Sequence, residues 1–209
     1  MTWVVKLGGS MLDSSELKHW LDMFAQHSDG QIVIVPGGGL FADAVREAQY
    51  MTGIDDETAH RMAVVAMDQY GMLMTGLNHD LVTATTELEI AERGWQHRAI
   101  VWLPSHMVCG EESIPANWHV TSDSLAAWLA ARINAKHLVL VKSARPEVEQ
   151  ISLERLIKDG FVDASFGDYI AGQNFETWIL GKQDHAAFTK KVSDQRLQEI
   201  GLPVRYAWN

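Results

Sequence analysis

Two short segments of this chain are apolar at every position: Ile32-Val33-Ile34-Val35 and Leu138-Val139-Leu140-Val141. A strand with one wet face alternates apolar and polar residues, so a run with no polar position has both faces covered. The chain therefore needs helices on two sides of a central sheet. Helical patterns do fall between the runs. Leu17, Trp20, Leu21 and Phe24 recur at helical spacing within Asp13 to His27, with Asp13 and Glu16 as the helix-start signal. Phe41, Ala44, Val45 and Ala48 mark a second helix. An Ala- and Met-rich stretch from Asp56 to Gly76 predicts a third, broken near Gly71. Leu81 to Arg93 reads as helical again. Thr121-Ser122-Asp123 supplies cap chemistry for a helix to about Asn134, with Leu125, Leu129 and Ile133 on one stripe. Strands are predicted at Thr2 to Leu7, Gln31 to Val35, Arg98 to Leu103 and His137 to Lys142. The less regular tail reads as a helix over Asp184 to Ile200 and a closing strand over Pro203 to Trp208. Segment 104–119 is a predicted long loop or hairpin, and 143–150 a second loop. Alternating strands and helices of this kind define an α/β fold on a mainly parallel sheet.

Composition narrows the partners. The 209 residues, 47% of them hydrophobic, can bury one substantial core, and one domain over 1–209 is expected. A formal net charge of -10 argues against nucleic acid or an acidic membrane surface as partner. No apolar run approaches the roughly 20 residues that span a bilayer. The N-terminal apolar stretch is short for a signal peptide and is cut by Lys6. Cys109 is the single cysteine, so no internal disulfide can form, and a reducing cytoplasm fits. Eight tryptophans suit core packing and a subunit interface, most simply that of a homodimer or higher homo-oligomer.

Three stretches carry chemistry. Lys6-Leu7-Gly8-Gly9-Ser10 and Pro36-Gly37-Gly38-Gly39 each follow a predicted strand and precede a predicted helix. That is the carboxyl edge of an open α/β sheet, where ligands bind. Bare glycines let backbone N–H groups approach a phosphate, and the following helix N-terminus adds partial positive charge. Either cluster alone is an ordinary tight turn. Together with Lys6 they point to an anion site. In the third stretch Lys142 ends a buried strand as Lys6 does, and the Asp123 carboxylate is placed to bond both ammonium groups and aim them at phosphates. Asp123 alone would pass as a cap. Neither glycine cluster is a P-loop or a dinucleotide fingerprint. Asp43 and His60 are acceptor-side candidates, with a first-turn carboxylate and a satisfied histidine as the plain alternatives, and Arg46 falls in the same stretch. None of the nine histidines falls in a zinc-like spacing, so no dedicated metal site is expected. Mg²⁺ would arrive with ATP, leaning on its phosphates.

These blocks, with Ser122-Asp123-Ser124-Leu125-Ala126-Ala127 and Leu138-Val139-Leu140-Val141-Lys142, resemble the amino acid kinase family in order and spacing from Thr2 to about Ser143. Thr58 to Ala63 and Met67 to Gly71 resemble its small branch that holds the aminomethylfuran phosphate kinase of methanofuran biosynthesis. The resemblance implies a three-layer αβα sandwich, with ATP over the C-terminal half, about 121–209, and the acceptor over the N-terminal half, about 1–120. It implies Lys6, Asp123 and Lys142 as catalytic residues and Gly8, Gly9, Ser10 and Ser122 at the phosphates of ATP. Gly37, Gly38, Gly39, Asp43 and His60 would then meet the acceptor, a small phosphorylated alcohol that becomes a diphosphate. The family's later G-G-M-x-x-K block has no counterpart, and Lys142, Lys182, Lys190 or Lys191 would take its place. A non-catalytic nucleotide- or oxyanion-binding oligomer on the same scaffold is the alternative.

Overall fold

The structure, a computed structural model, describes residues 2–146, 148, 150–188 and 192–205. Its strands are β1 (Trp3–Leu7), β2 (Ile32–Pro36), β3 (Val82–Ala84), β4 (Ile100–Trp102), β5 (His137–Lys142), β6 (Ile151–Ser152), β7 (Glu176–Gly181) and β8 (Leu202–Arg205). They lie in the order β3-β4-β2-β1-β5-β7-β8-β6. Neighbours run parallel except β7 and β8, which are antiparallel. Strand β1 sits between β2 and β5. From β1 the chain adds β2, then the edge strand β3, then β4 between them, all on one side, and crosses to β5 on the other. The carboxyl ends of β1 and β5 therefore flank the topological switch point, where an open α/β sheet leaves a crevice.

Helices cover both faces. They are α1 (Ser15–His27), α2 (Gly39–Thr52), α3 (Asp56–Leu77), α4 (Glu87–Trp95), α5 (Ser105–Val108), α6 (Ser122–Arg132), α7 (Leu153–Lys158), α8 (Phe166–Ile170) and α9 (Asp194–Ile200). Strand alternation divides the core. Val4, Leu138 and Leu140 face α6 and α8, whereas Trp3, Val5, Val139 and Val141 face α1 with Trp20 and Phe24. Burying one such side chain contributes about 1.5–3 kcal/mol. The same alternation decides where the charges go. Lys6 follows Val4 on the α6 face and pairs across the sheet with Leu140, and Lys142 is the next residue on that face of β5.

Several elements differ from the sequence reading. Helix α1 is capped by the Ser14 side chain, which accepts from the Glu16 N–H, so Asp13 is left outside the helix. Helix α3 runs unbroken through Gly71. That glycine allows close packing: a Cβ there would lie 2.6 Å from Leu103 Cδ2 and 3.2 Å from Val101 Cγ1. Leu81 to Arg93 is not one helix. Val82–Ala84 pairs as β3, and Thr86 then starts α4, its Oγ1 accepting from the Glu89 N–H while the Glu89 carboxylate accepts from Thr85. Segment 104–119 contains the short α5 and no described strand, so it is no hairpin. The central strand β7 went unread in the tail. The helix expected over Asp184 to Ile200 is a 3₁₀ turn at Asp184–Ala187 and a separate α9. The closing strand spans Leu202–Arg205, and the Tyr206 to Trp208 part of the expectation lies outside the described residues.

Candidate functional site

Helix α6 crosses the face of β1 and β5 with its first turn over the switch point. Its side chains from Ser122 to Ala130 are all buried, which no solvent-facing helix permits. The N-terminus of α6 is fixed from a distance. Thr121 makes no side-chain cap bond of its own, although the sequence places cap chemistry at Thr121-Ser122-Asp123. Instead the Asp163 carboxylate, on the loop before α8, accepts from the backbone N–H groups of Thr121 (2.9 Å) and Ser124 (3.0 Å) and from both hydroxyls. An acceptor supplied from another element satisfies the same free donors that a local cap would.

So held, Asp123 meets both lysines. Lys6 Nζ lies 3.0 Å from Asp123 Oδ1, and Lys142 Nζ donates to Oδ1 and Oδ2 at 2.9 Å each. Lys6 is 7% exposed and Asp123 5%. Burial pushes the Asp123 carboxyl up, but the two ammonium groups more than reverse this and hold it below the ordinary carboxylate range. Burial, and then the charge of Lys6, bring Lys142 down to about 8 despite Asp123. Two cations around one carboxylate leave a local excess of positive charge, which Asp163 offsets only at longer range. An anion completes that balance.

The glycines divide into two kinds. Gly37 donates its N–H to the Leu7 carbonyl at 2.9 Å, joining the two loops. A Cβ on Gly9 would sit 2.3 Å from the Gly39 nitrogen, and one on Gly37 would sit 2.5 Å from the Gly9 nitrogen. These glycines let two backbones pack against each other. Gly39 also needs φ of +54°. Gly8 is different. A Cβ there meets nothing closer than 3.5 Å and would come to 3.8 Å from Lys6 Nζ. Its missing side chain leaves room in front of the ammonium.

Beside this triad opens a cavity of about 670 Å³. Gly9, Ser10, Gly38, Gly39, Asp43, Arg46, His60 and Ser122 all line it. Lys6, Asp123 and Lys142 form its charged neighbour, and Gly8 lies against them. Ser122 thus falls on the same wall as the acceptor candidates. His60 is buried, and its imidazole bonds to the Val120 backbone; burial lowers its pKa against the opposing effect of that bond. Its Nε2 has no partner among the described residues. Asp43 is mostly exposed and pairs with Arg46 Nη1 at 2.8 Å. Arg46 in turn stacks 4.5 Å above the Trp118 ring, whose Nε1 donates to Gln49 Oε1 at 2.7 Å. Trp118 and Asp163 escaped the sequence reading, because neither lies in a glycine cluster or at a strand end. Lys182 follows β7, whose Gly181 pairs with Lys142, so its backbone is on the same edge. Lys190 and Lys191 lie outside the described residues.

A mainly parallel sheet thus carries two lysines around one carboxylate at its switch point, beside a lined cavity. Residues 1–101 match the sequence profile of the amino acid kinase family. The chain is 26% identical over 138 residues to the [5-(aminomethyl)furan-3-yl]methyl phosphate kinase of Methanocaldococcus jannaschii, a match covering 66% of this chain and 63% of that protein. Its fold is similar to that of a uridylate kinase from Archaeoglobus fulgidus, with TM-score 0.69 and 16% identity over 98% of this chain and 100% of that one. A UMP kinase from Ureaplasma parvum gives TM-score 0.72 and 15% identity over 98% of each chain. No helix among the described residues is long and apolar enough to cross a membrane.

Proposed function

We propose that the chain is an ATP-dependent phosphotransferase whose acceptor is itself a phosphate ester, with aminomethylfuran-methyl phosphate as the best candidate. The observation that carries this reading is the Lys6–Asp123–Lys142 triad, with its excess of positive charge at the switch point. Phosphoryl transfer asks a protein mainly to align donor and acceptor and to offset charge on the equatorial oxygens. The two ammonium groups supply that field, and Asp123 fixes both of them. The space at Gly8 fits a phosphoryl oxygen against Lys6. An acceptor phosphate is already anionic near neutral pH, so no strong base is required, in keeping with a buried, neutral His60 that can offer Nε2 as a hydrogen-bond partner. Asp123 is engaged by the lysines at both oxygens. Magnesium would therefore lean chiefly on nucleotide phosphates, with Asp13 as the cavity carboxylate that makes no ion pair among the described residues.

The cavity suits the relative's acceptor in class. Arg46 offers a cation for a phosphate, Leu12, Val64 and Met67 an apolar wall for a ring, and Asp13 and Asp43 carboxylates for an amine. The test is ADP release from ATP and Mg²⁺ with aminomethylfuran-methyl phosphate, UMP and isopentenyl phosphate offered in turn. The furan phosphate is expected to drive the fastest turnover, and Lys6→Ala to abolish it while the fold persists. Undiminished turnover in Lys6→Ala refutes the assignment. Tight ATP binding with no acceptor-dependent ADP refutes catalysis and leaves a nucleotide-binding protein.

A further inference from the structure

Away from the cavity, Glu16 and His19 sit one turn apart at the start of α1, and His185 reaches them from the 3₁₀ turn that follows β7. One donor atom from each lies within 4.8 Å of the other two. The Glu16 carboxylate contacts the His185 ring directly, its Oε2 lies 3.6 Å from His19 Nδ1, and the two imidazoles stand 4.9 Å apart between centroids. The spacing escaped the sequence reading because His185 is remote in the chain and Glu16 and His19 stand at i and i+3.

An ordinary ion pair explains one imidazole beside Glu16, not two. Two imidazolium rings at this distance repel, and one carboxylate cannot balance both. Two neutral imidazoles and a carboxylate are instead the donor set of a four-coordinate zinc-type ion with one open position. A tetrahedral ion with bonds of about 2.0–2.1 Å places its ligand atoms about 3.3 Å apart, close to the observed spacing. The surroundings are built rather than accidental. The Trp20 ring packs edge-on to His185 at 5.9 Å, and its Nε1 donates to the Lys182 carbonyl at 2.8 Å, fixing the segment that carries His185. His185 and Glu16 are partly buried, while His19 is mostly exposed and forms the open side.

We propose that Glu16, His19 and His185 form a binding site for a divalent transition metal of the zinc class, which clips the start of α1 to the segment after β7. The site is separate from any nucleotide-borne magnesium, because imidazoles favour Zn²⁺, Co²⁺ or Ni²⁺ over Mg²⁺. It also does not depend on the proposed kinase reaction. The test uses the full chain, stripped with chelator, in calorimetric titration with Zn²⁺ and visible spectroscopy with Co²⁺. One equivalent of Zn²⁺ is expected to bind, unaffected by millimolar Mg²⁺, and Co²⁺ to give the intense bands of four-coordination. A hundredfold excess of Zn²⁺ over Kd should raise Tm by about 5–10 °C. His19→Ala and His185→Ala should each weaken Zn²⁺ binding at least tenfold and abolish the Co²⁺ bands. His19 is exposed, so its variant decides the matter if His185→Ala fails to fold. Absence of Zn²⁺ binding by the native chain, or native affinity in His19→Ala, overturns the proposal.

Discussion

Replacing Asp123 by Asn removes the one negative charge between Lys6 and Lys142 and changes almost nothing in volume. Both ammonium groups then face each other in a desolvated place, with no counter-charge among their described contacts. Breaking a buried ion pair by removing one partner costs about 3–5 kcal/mol. For a chain of this size each kcal/mol shifts Tm by about 2–4 °C, so the loss is about 6–20 °C. The pH dependence carries the sharper signature. Lys142 is already depressed to about 8 in the folded chain, against an unfolded value of 10.5. Between those values the unfolded state holds more protons, so this group makes stability rise with pH across about 8 to 10.5. Without Asp123 the folded value drops further, and the rise begins below pH 8. Asp123 itself is depressed, so its contribution in the native chain is present above 3.8 and is lost as pH falls through its lower folded value. Thermal melts of both proteins from pH 6 to 9 measure the effect. The Tm gap should be widest at pH 6 and should narrow steadily as pH rises. A gap below 2 °C at pH 7, or one that stays constant with pH, would show that the triad is not electrostatically coupled as argued.

The two classes of glycine separate in a pair of variants. Gly9→Ala should fail to accumulate as folded protein, whereas Gly8→Ala should melt near the native Tm but bind ATP at least tenfold more weakly in calorimetry. Asp163→Ala strips the N-terminus of α6 of its distant cap and should cost about 2–4 kcal/mol by urea denaturation, with turnover lost in parallel as Asp123 shifts. Trp118→Ala removes the ring beneath Arg46 and should raise the KM for the acceptor several-fold while leaving the KM for ATP unchanged, as steady-state kinetics would reveal.

The sequence made the sheet readable where local chemistry sufficed. Continuous apolar runs marked β2 and β5, and strand-end lysines marked the crevice before any contact was known. It failed where the signal was tertiary. Strand β7, Glu176–Gly181, begins with an exposed glutamate and a threonine, and only its position between β5 and β8 makes it central. Gly71 read as a break because propensity disfavours glycine in a helix, yet Leu103 and Val101 need that space. The site was legible in the same uneven way. Lys6, Asp123 and Lys142 stand at strand and helix ends, where type and place coincide. Asp163 and Trp118 owe their positions to loops that cross the molecule, and nothing adjacent to them in sequence announces it.

The two glycine clusters look alike in sequence, yet the structure assigns them different work. Gly9, Gly37 and Gly39 bring two loops into backbone contact, so the loops after β1 and β2 form one continuous floor. Such a floor could serve any ligand, and glycines of this kind say little about which. What favours the proposed anion is the charge placed above the floor: the buried Lys6, the partly buried Lys142, one carboxylate, and a bare Cα at Gly8 in front of one ammonium. Alternation along β1 and β5 forces both lysines onto the α6 face, and the Asp163 cap forces Asp123 between them. The excess of positive charge is therefore a consequence of strand register and of one distant hydrogen-bond acceptor. A register slip of one residue in either strand would turn a lysine to the α1 side, into the apolar layer of Trp20 and Phe24, and dismantle the site without altering a single residue of it.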